Sequence, residues 1–405
     1  MPRNETLEDL AFLIADHQAR ITQLGEKWAA ILTERLDQSE KKFLETLKSG
    51  IEAVRRLDKN SPASIKSLIS LEKKLAAIRK AAYDSALEEL KDDAGPLAAN
   101  ESKWAKRITI EFARYSKERI LRDLSPKKAR NLIWNSIIQG KTFLQWFDQN
   151  RADDMARITT MIQMGVSQGW TIPQITQRIM GTKANNYTDG LMQTSRIAAT
   201  RLARTLCSGI ANEAKQAFYE ENEDVVTGVE WLSTLDGRTC LDCAALDHVR
   251  WKTRSLHPVP PVHPNCRCVL LPVTELTDLG EDAPRPKANA DFMKLAQEAY
   301  EKKYPGKKWK DLSMSTRKKY YYQAMREYER IHGKGSAYSQ VPGSMKFKDY
   351  FLQMSDQQKL HYLGPEKFKL WKAGRLSVDD FIAPYPRRQF TVAELKAKDQ
   401  AAFKK

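Results

Sequence analysis

Five cysteines and six histidines in 405 residues make this chain poor in metal-binding and redox-active side chains. Apolar runs extend only a few residues, so no segment can span a bilayer and no membrane partner is expected. The start, Met1-Pro2-Arg3-Asn4-Glu5, passes straight into a charged helical pattern without an apolar h-region. The chain is therefore expected to be made and kept in a cytoplasm. In that reducing compartment a few cysteines serve metals or stay thiols rather than forming disulfides.

What is abundant is charge. Asp, Glu, Lys and Arg make up 29% of the chain against 41% hydrophobic residues, which suits long helices with large solvated faces. The length allows two or three domains. The net charge of +16 is uneven: from Glu281 onward there are 27 Lys and Arg against 15 Asp and Glu, a balance of +12, which leaves +4 for the first 280 residues. A basic C-terminal third points to a polyanion, DNA foremost, although a merely solvated face has the same composition.

The first half reads as helix. Leu7, Leu10, Ile14, His17, Ile21, Leu24, Trp28 and Ile31 recur at intervals of three and four, keeping one face apolar. Thr6 and Asp9 suit the cap of that helix, and His17 in the stripe is a seam residue rather than a ligand. Ser61-Pro62 and Ser125-Pro126 pair an N-cap with a first-turn proline, and Asp92-Asp93-Ala94-Gly95-Pro96 is expected to break the helix between them. Thr171-Ile172-Pro173-Gln174 opens a short helix, and a long amphipathic one runs from about Thr188 to Asn222. Val229, Trp231 and Ser233 then alternate as a strand does, with Asp236-Gly237 as a turn, and residues 269–273 form a second candidate strand. Residues 274–289 and 333–343 read as flexible joints, and the tail after Pro384 as polar and loose.

Four of the five cysteines share one window. Cys240-Leu241-Asp242-Cys243 is followed, nineteen residues on, by His263-Pro264-Asn265-Cys266-Arg267-Cys268. A tight turn brings the first pair of thiolates to one ion, and on an extended segment Cys266 and Cys268 face the same side. Sulfur and nitrogen donors so gathered suit tetrahedral zinc. Cys240, Cys243, His263, Cys266 and Cys268 are five candidates for four corners, and the sequence does not choose among them. A site with four protein ligands is closed and structural, stapling strands that have little core of their own. Prolines 258, 260, 261 and 264 are expected to hold the intervening loop extended.

Enzyme readings lack their acid and base. A zinc nucleobase deaminase needs His-x-Glu, but the local histidines read His248-Val249-Arg250, His257-Pro258-Val259 and His263-Pro264-Asn265. A His-Asn-His nuclease could draw on His248, His257 or Asn265, but its final metal-binding histidine is missing. Cys207 has no neighbouring histidine and reads as core. The chain is thus read as non-enzymatic, with a metal-dependent nuclease or a zinc DNA-binding protein as the alternatives.

Trp231, Asp236-x-Arg238-Thr239-Cys240-x-x-Cys243-x-x-Leu246-Asp247 and Pro261-x-His263-Pro264-Asn265-Cys266-Arg267-Cys268 together resemble the phage Mu F-like head morphogenesis family of minor head proteins. Ala203-Arg204-Thr205 through Asn212 and Ala217 is similar to that family's Ala-Arg-Thr helix. Leu363-Gly364, Leu370-Trp371, Gly374, Leu376-Ser377 and Asp380 are similar to its closing unit. The likeness covers about 164–273 and 347–381, and an insert of about 275–344 separates the two blocks. It implies a virion protein of low copy number, associated with the portal, the capsid and the packaged double-stranded DNA, and needed for head assembly or infectivity. Several copies would sit at one vertex after assembly in the host cytoplasm.

Within the insert, Tyr304-Pro305-Gly306-Lys307-Lys308-Trp309-Lys310 and Arg317-Lys318-Lys319-Tyr320-Tyr321-Tyr322 are similar to an HMG box. The segment is short for a full box, and a helical hairpin with a tyrosine-rich core is favoured. In either case Lys307, Lys308, Lys310, Lys318 and Lys319 are the expected phosphate contacts. The expected architecture is α+β and predominantly α. A long helical region, 1–160, contacts portal or capsid. A small β-containing, zinc-knuckle-like module follows at 161–275, then a basic aromatic insert at 276–344 and a C-terminal helical unit and tail at 345–405.

Overall fold

The computed structural model describes residues 7–57, 61–111, 121–237, 239–274, 285–288, 290, 292–306, 308–309, 312, 314–332, 338–341, 345–384 and 387–403. Helices dominate. The first two, α1 (Leu7–Arg55) and α2 (Pro62–Glu111), form a long hairpin. Then come α3 (Pro126–Asn135), α4 (Phe143–Ser167), α5 (Ile172–Met180) and α6 (Leu191–Glu221), the last lying along both α1 and α2.

The expected caps are present. Ser61 Oγ accepts from the Ser64 amide at 3.1 Å, and Ser125 Oγ from Lys128 at 3.2 Å. Thr171 and Gln174 form a reciprocal capping box at the start of α5. Thr6 lies outside the described residues. The break expected at residues 92–96 does not occur, because α2 runs through Pro96. Ala94, Leu97 and Ala98 are buried in the core that also holds Trp28 and Leu32 of α1 and Ala199 to Ala214 of α6. Pro96 and Asp92 are on the exposed face, so the Asp92 carbonyl that loses its donor faces water. Packing along the whole inner face outweighs one missing hydrogen bond.

Of the stripe predicted on α1, Ile14 and Trp28 are enclosed and Ile21, Leu24 and Ile31 pack at the edge, while the Leu7 and Leu10 side chains lie outside what is described. His17 lies in this seam, stacked on Trp104 with centroids 4.0 Å apart and hydrogen-bonded through Nε2 to Glu101 at 2.8 Å. Where α6 crosses α1, a side chain at Gly25 would come within 3.3 Å of the Arg204 Cα, and Arg204 pairs with Glu26 beside it. Farther along, Phe43, Leu47, Leu71 and Leu75 pack with Ile158, Ile162, Ile175 and Ile179.

A three-stranded antiparallel sheet follows, in the order β2 (Arg250–Lys252), β1 (Val226–Leu232), β3 (Val269–Thr274). The helix α7 (Leu241–Leu246) lies between β1 and β2 in the chain. The sheet is covered on both faces. Val229, Trp231 and Leu270 meet Phe218 and Tyr219 of α6, and Leu232, Val269 and Leu271 meet Ile14, Trp104 and Ile108. The strands therefore have more core than the sequence suggested, supplied by helices distant in the chain.

The joints at 274–289 and 333–343 contain paired backbone. β4 (Arg285–Ala288) pairs antiparallel with β5 (Tyr338–Val341), clasping the two ends of the insert together, while 275–284, 333–337 and 342–344 lie outside the described residues. Between these strands, α8 (Phe292–Lys303) and α9 (Met314–His332) pack side by side. The final unit holds α10 (Phe347–Gln353), α11 (Asp356–Leu363), α12 (Pro365–Lys372), the hairpin β6 (Ile382–Pro384) and β7 (Arg387–Gln389), and α13 (Val392–Lys398). The tail after Pro384 is not loose. Leu395 and Ala402 are buried with Phe347, Phe351 and Phe381, and a Thr391–Glu394 capping box starts α13. A few well-spaced apolar residues anchor a segment that looks polar on average.

Candidate metal centre

All five predicted ligands converge. One donor atom each from Cys240, Cys243 and His263 lies within 4.8 Å of the others, and the same holds for Cys243, Cys266 and Cys268. Cys243 belongs to both groups. Its Sγ is 3.0 Å from His263 Nε2 and 3.7 Å from Cys266 Sγ. Zinc–sulfur bonds of about 2.3 Å at tetrahedral angles place ligand atoms ~3.8 Å apart. The donor types and their spacing fit a thiolate-rich zinc site, with one donor more than four corners require.

Each donor is placed by local structure. Cys240 is the N-cap of α7, and its sulfur accepts from the Cys243 amide at 3.3 Å, so one turn carries both thiols. The proline loop delivers the second string through a tight turn, with the Cys266 amide donating to the His263 carbonyl at 3.2 Å and Asn265 in the left-handed region at φ 60°. The His263 ring is oriented by a contact of 3.0 Å between Nδ1 and the Pro264 carbonyl, leaving Nε2 toward the thiols. Cys243, Cys266 and Cys268 are buried, and Cys240 is half-buried.

The electrostatics of these groups are mutual. Hydrogen bonding from Cys243, assisted by His263 and opposed by burial, lowers the Cys240 thiol to about 5. Burial works against charge on His263, but its hydrogen bonds to Cys240 and Cys266 prevail and raise it to about 11. Hydrogen bonds from Cys243 and Cys268 lower Cys266, and burial raises Cys268. Cys243, donating to its neighbours, is raised. Thiolates are thus held beside thiols and an imidazole that share protons with them, and a bound cation would take over that role.

Several supporting residues escaped the sequence reading. Asp236, fully buried, receives both arms of the Arg267 guanidinium at 2.6 and 2.8 Å, tying the turn after β1 to the Cys266-Arg267-Cys268 string. Ser233 Oγ donates to the Cys243 carbonyl at 2.7 Å and accepts from the Trp231 indole at 3.1 Å. The signal for the first pair was present: Asp236 and Arg267 lie inside the two quoted strings and carry opposite charge. Arg238 lies outside the described residues.

The remaining candidates lie on separate elements. His248 is bonded to Glu230 at 2.6 Å, which Arg250 also engages. His257 stacks on Trp251, and the Asn265 amide contacts Thr205 Oγ1 at 3.4 Å. Cys207 is buried, its thiol raised by that burial. In the insert, Lys308 and Lys319 are exposed, Lys307 and Lys310 lie outside the described residues, and Lys318 falls on α9 without a described side chain. Trp309 is buried against Tyr300 and Tyr320, so these rings form the hairpin's core.

Among the described residues, no helix is long and apolar enough to cross a membrane. No curated protein and no solved structure matches the chain. Residues 156–271 do match a family model, described as Phage Mu protein F like protein. The matched stretch takes in the second half of α4, all of α5 and α6, the strands β1 and β2, every candidate ligand and the first half of β3. Its Ala203-Arg204-Thr205 triplet has three separate tasks: Ala203 packs in the helical core, Arg204 pairs with Glu26, and Thr205 meets Asn265 of the ligand loop. This segment, with the thiol cluster near its C-terminal end, is similar to the phage Mu F-like family.

Proposed function

We propose that the chain is a phage minor head protein, a structural component of the virion that acts in head morphogenesis rather than as an enzyme. The match over 156–271 carries this reading. The cysteine cluster adds to it, since its donors are turned toward one another inside the fold, as suits a closed zinc cross-link. Zinc held there by four of Cys240, Cys243, His263, Cys266 and Cys268 would fasten α7 to the strand start at Val269.

In this reading the protein sits at the portal vertex in several copies, assembled in the host cytoplasm. The long α1–α2 hairpin contacts portal or capsid. The basic C-terminal third contacts packaged double-stranded DNA, with exposed Lys308 and Lys319 among the phosphate contacts and Lys307, Lys310 and Lys318 beside them in sequence.

The test is genetic and compositional. Phage lacking the gene should yield few infectious particles, and complementation should return the protein to purified heads. Deletion of residues before Ser61 should abolish incorporation; normal incorporation would remove the hairpin from its assigned contact. DNA affinity should fall with added salt, and Lys308→Ala with Lys319→Ala should together reduce the logarithmic slope by about 2. Normal heads and infectivity without the gene would overturn the proposal.

A further inference from the structure

We propose that metal loading of the cysteine cluster and docking of the C-terminal unit, residues 345–403, are one coupled event transmitted through α7. The proposal rests on the metal reading above and extends it to a part of the chain that holds no ligand.

Helix α7 has six residues, too few to be stable alone, so its order comes from what packs around it. It faces two ways. Cys240 and Cys243, three apart, enter the thiol cluster. Leu241 and Ala244, one step around the helix, enter the core formed by Phe347, Phe351, Leu370 and Phe381. Leu241 is 1% exposed, and Cys243 is equally enclosed on the other face.

Polar contacts repeat the link. Just past α7, Asp247 accepts from the Ser233 amide at 2.9 Å with one carboxylate oxygen and from the Phe347 amide at 2.7 Å with the other. Ser233 is the residue that holds the Cys243 carbonyl, and Phe347 is the first residue of α10. The hairpin β6–β7 packs on α7, where the Gln389 amide donates to Asp242. From α11, the buried Tyr362 hydroxyl makes no hydrogen bond among the described residues. The C-terminal unit therefore wraps the outer side of the turn that carries two ligands, and neither side can loosen without disturbing α7.

Coupling of this kind is reciprocal. Removing zinc from the full-length protein with a chelator should lower amide-exchange protection across 347–381. Conversely, Leu241→Ala and Phe351→Ala, which touch no ligand atom, should each weaken zinc retention against a chromogenic chelator by roughly tenfold. Leu47→Ala, in the distant α1–α2 core, should leave zinc retention unchanged and controls for general loss of stability. Unchanged exchange at 347–381 after zinc removal, or parental zinc retention in both C-terminal core variants, would overturn the coupling while the metal site stood. A protein that binds no zinc would sink the metal reading and the coupling together.

Discussion

The helical framework and the sheet module each bury a polar centre, and they satisfy it differently. Between α2, α4 and α6, Asp154 is fully buried and accepts from Arg79 Nε at 2.8 Å, from Arg79 Nη2 at 2.6 Å and from the Ser195 hydroxyl. The charges there are opposite, so the two residues neutralise each other directly. The thiol cluster instead gathers soft donors that face one another and His263, with no fixed opposite charge of the Arg79 kind among their described contacts. A buried site of the first kind holds elements together from the moment they pack. One of the second kind becomes fully stabilising when a cation enters.

Exchanging Cys240 and Cys243 for serine should have the largest effect and should break the comparison at its weaker side. Structural zinc contributes roughly 10–16 kcal/mol in small zinc-binding peptides. We expect the double variant to lose bound metal and amide protection across 226–274 while α1, α2 and α4 stay protected. Equal metal content and equal protection in variant and parent would equate the two centres.

Next is Asp154→Ala, which leaves the Arg79 guanidinium buried without its partner. The expected cost is about 3–5 kcal/mol in urea unfolding, the same with zinc or with chelator. A cost that changes with zinc would mean that the two centres are not independent.

The smallest effect sharpens the picture of the seam joining them. His17 of α1, Glu101 of α2 and Lys215 of α6 meet there, with His17 and Lys215 against Trp104. Burial holds His17 below its ordinary 6.5 against the hydrogen bond to Glu101. Burial opposes charge on Glu101, but Lys215 and then His17 hold it below 4.5. Both groups have depressed values in the fold, so the stability they contribute is full above pH 6.5. It falls with acid as the unfolded chain takes up protons first on histidine and then on glutamate. Between pH 7.5 and 5, His17→Phe should flatten the decline in urea midpoint relative to the parent. Parallel declines in the two proteins would assign no part of the acid sensitivity to this seam.

Local signals were legible where they act locally. Ser61, Ser125 and Thr171 cap helices in the structure because side-chain oxygens bond amides two or three residues away. The spacing of the two thiol strings announced a shared site, although not which four donors to favour. Signals that depend on distant partners are not legible locally. Pro96 reads locally as a break because its cost is local, whereas its compensation comes from α1 and α6. The stretch after Pro384 looked loose because Leu395 and Ala402 are sparse, yet each meets the core of another segment. Tyr338–Val341 reads locally as a joint because its strand partner lies some fifty residues earlier.

Sequence alone determined the helical periodicity, the caps, the basic bias of the C-terminal third and the set of five soft donors. Tertiary structure decided that the small sheet lies between helices, that Asp236 and Arg267 bind the two strings together, and that α7 serves the thiol cluster on one face and the C-terminal core on the other. The physical reason is range. Propensity and capping are settled within a turn or two of chain, but burial and ion pairing depend on which distant surfaces meet.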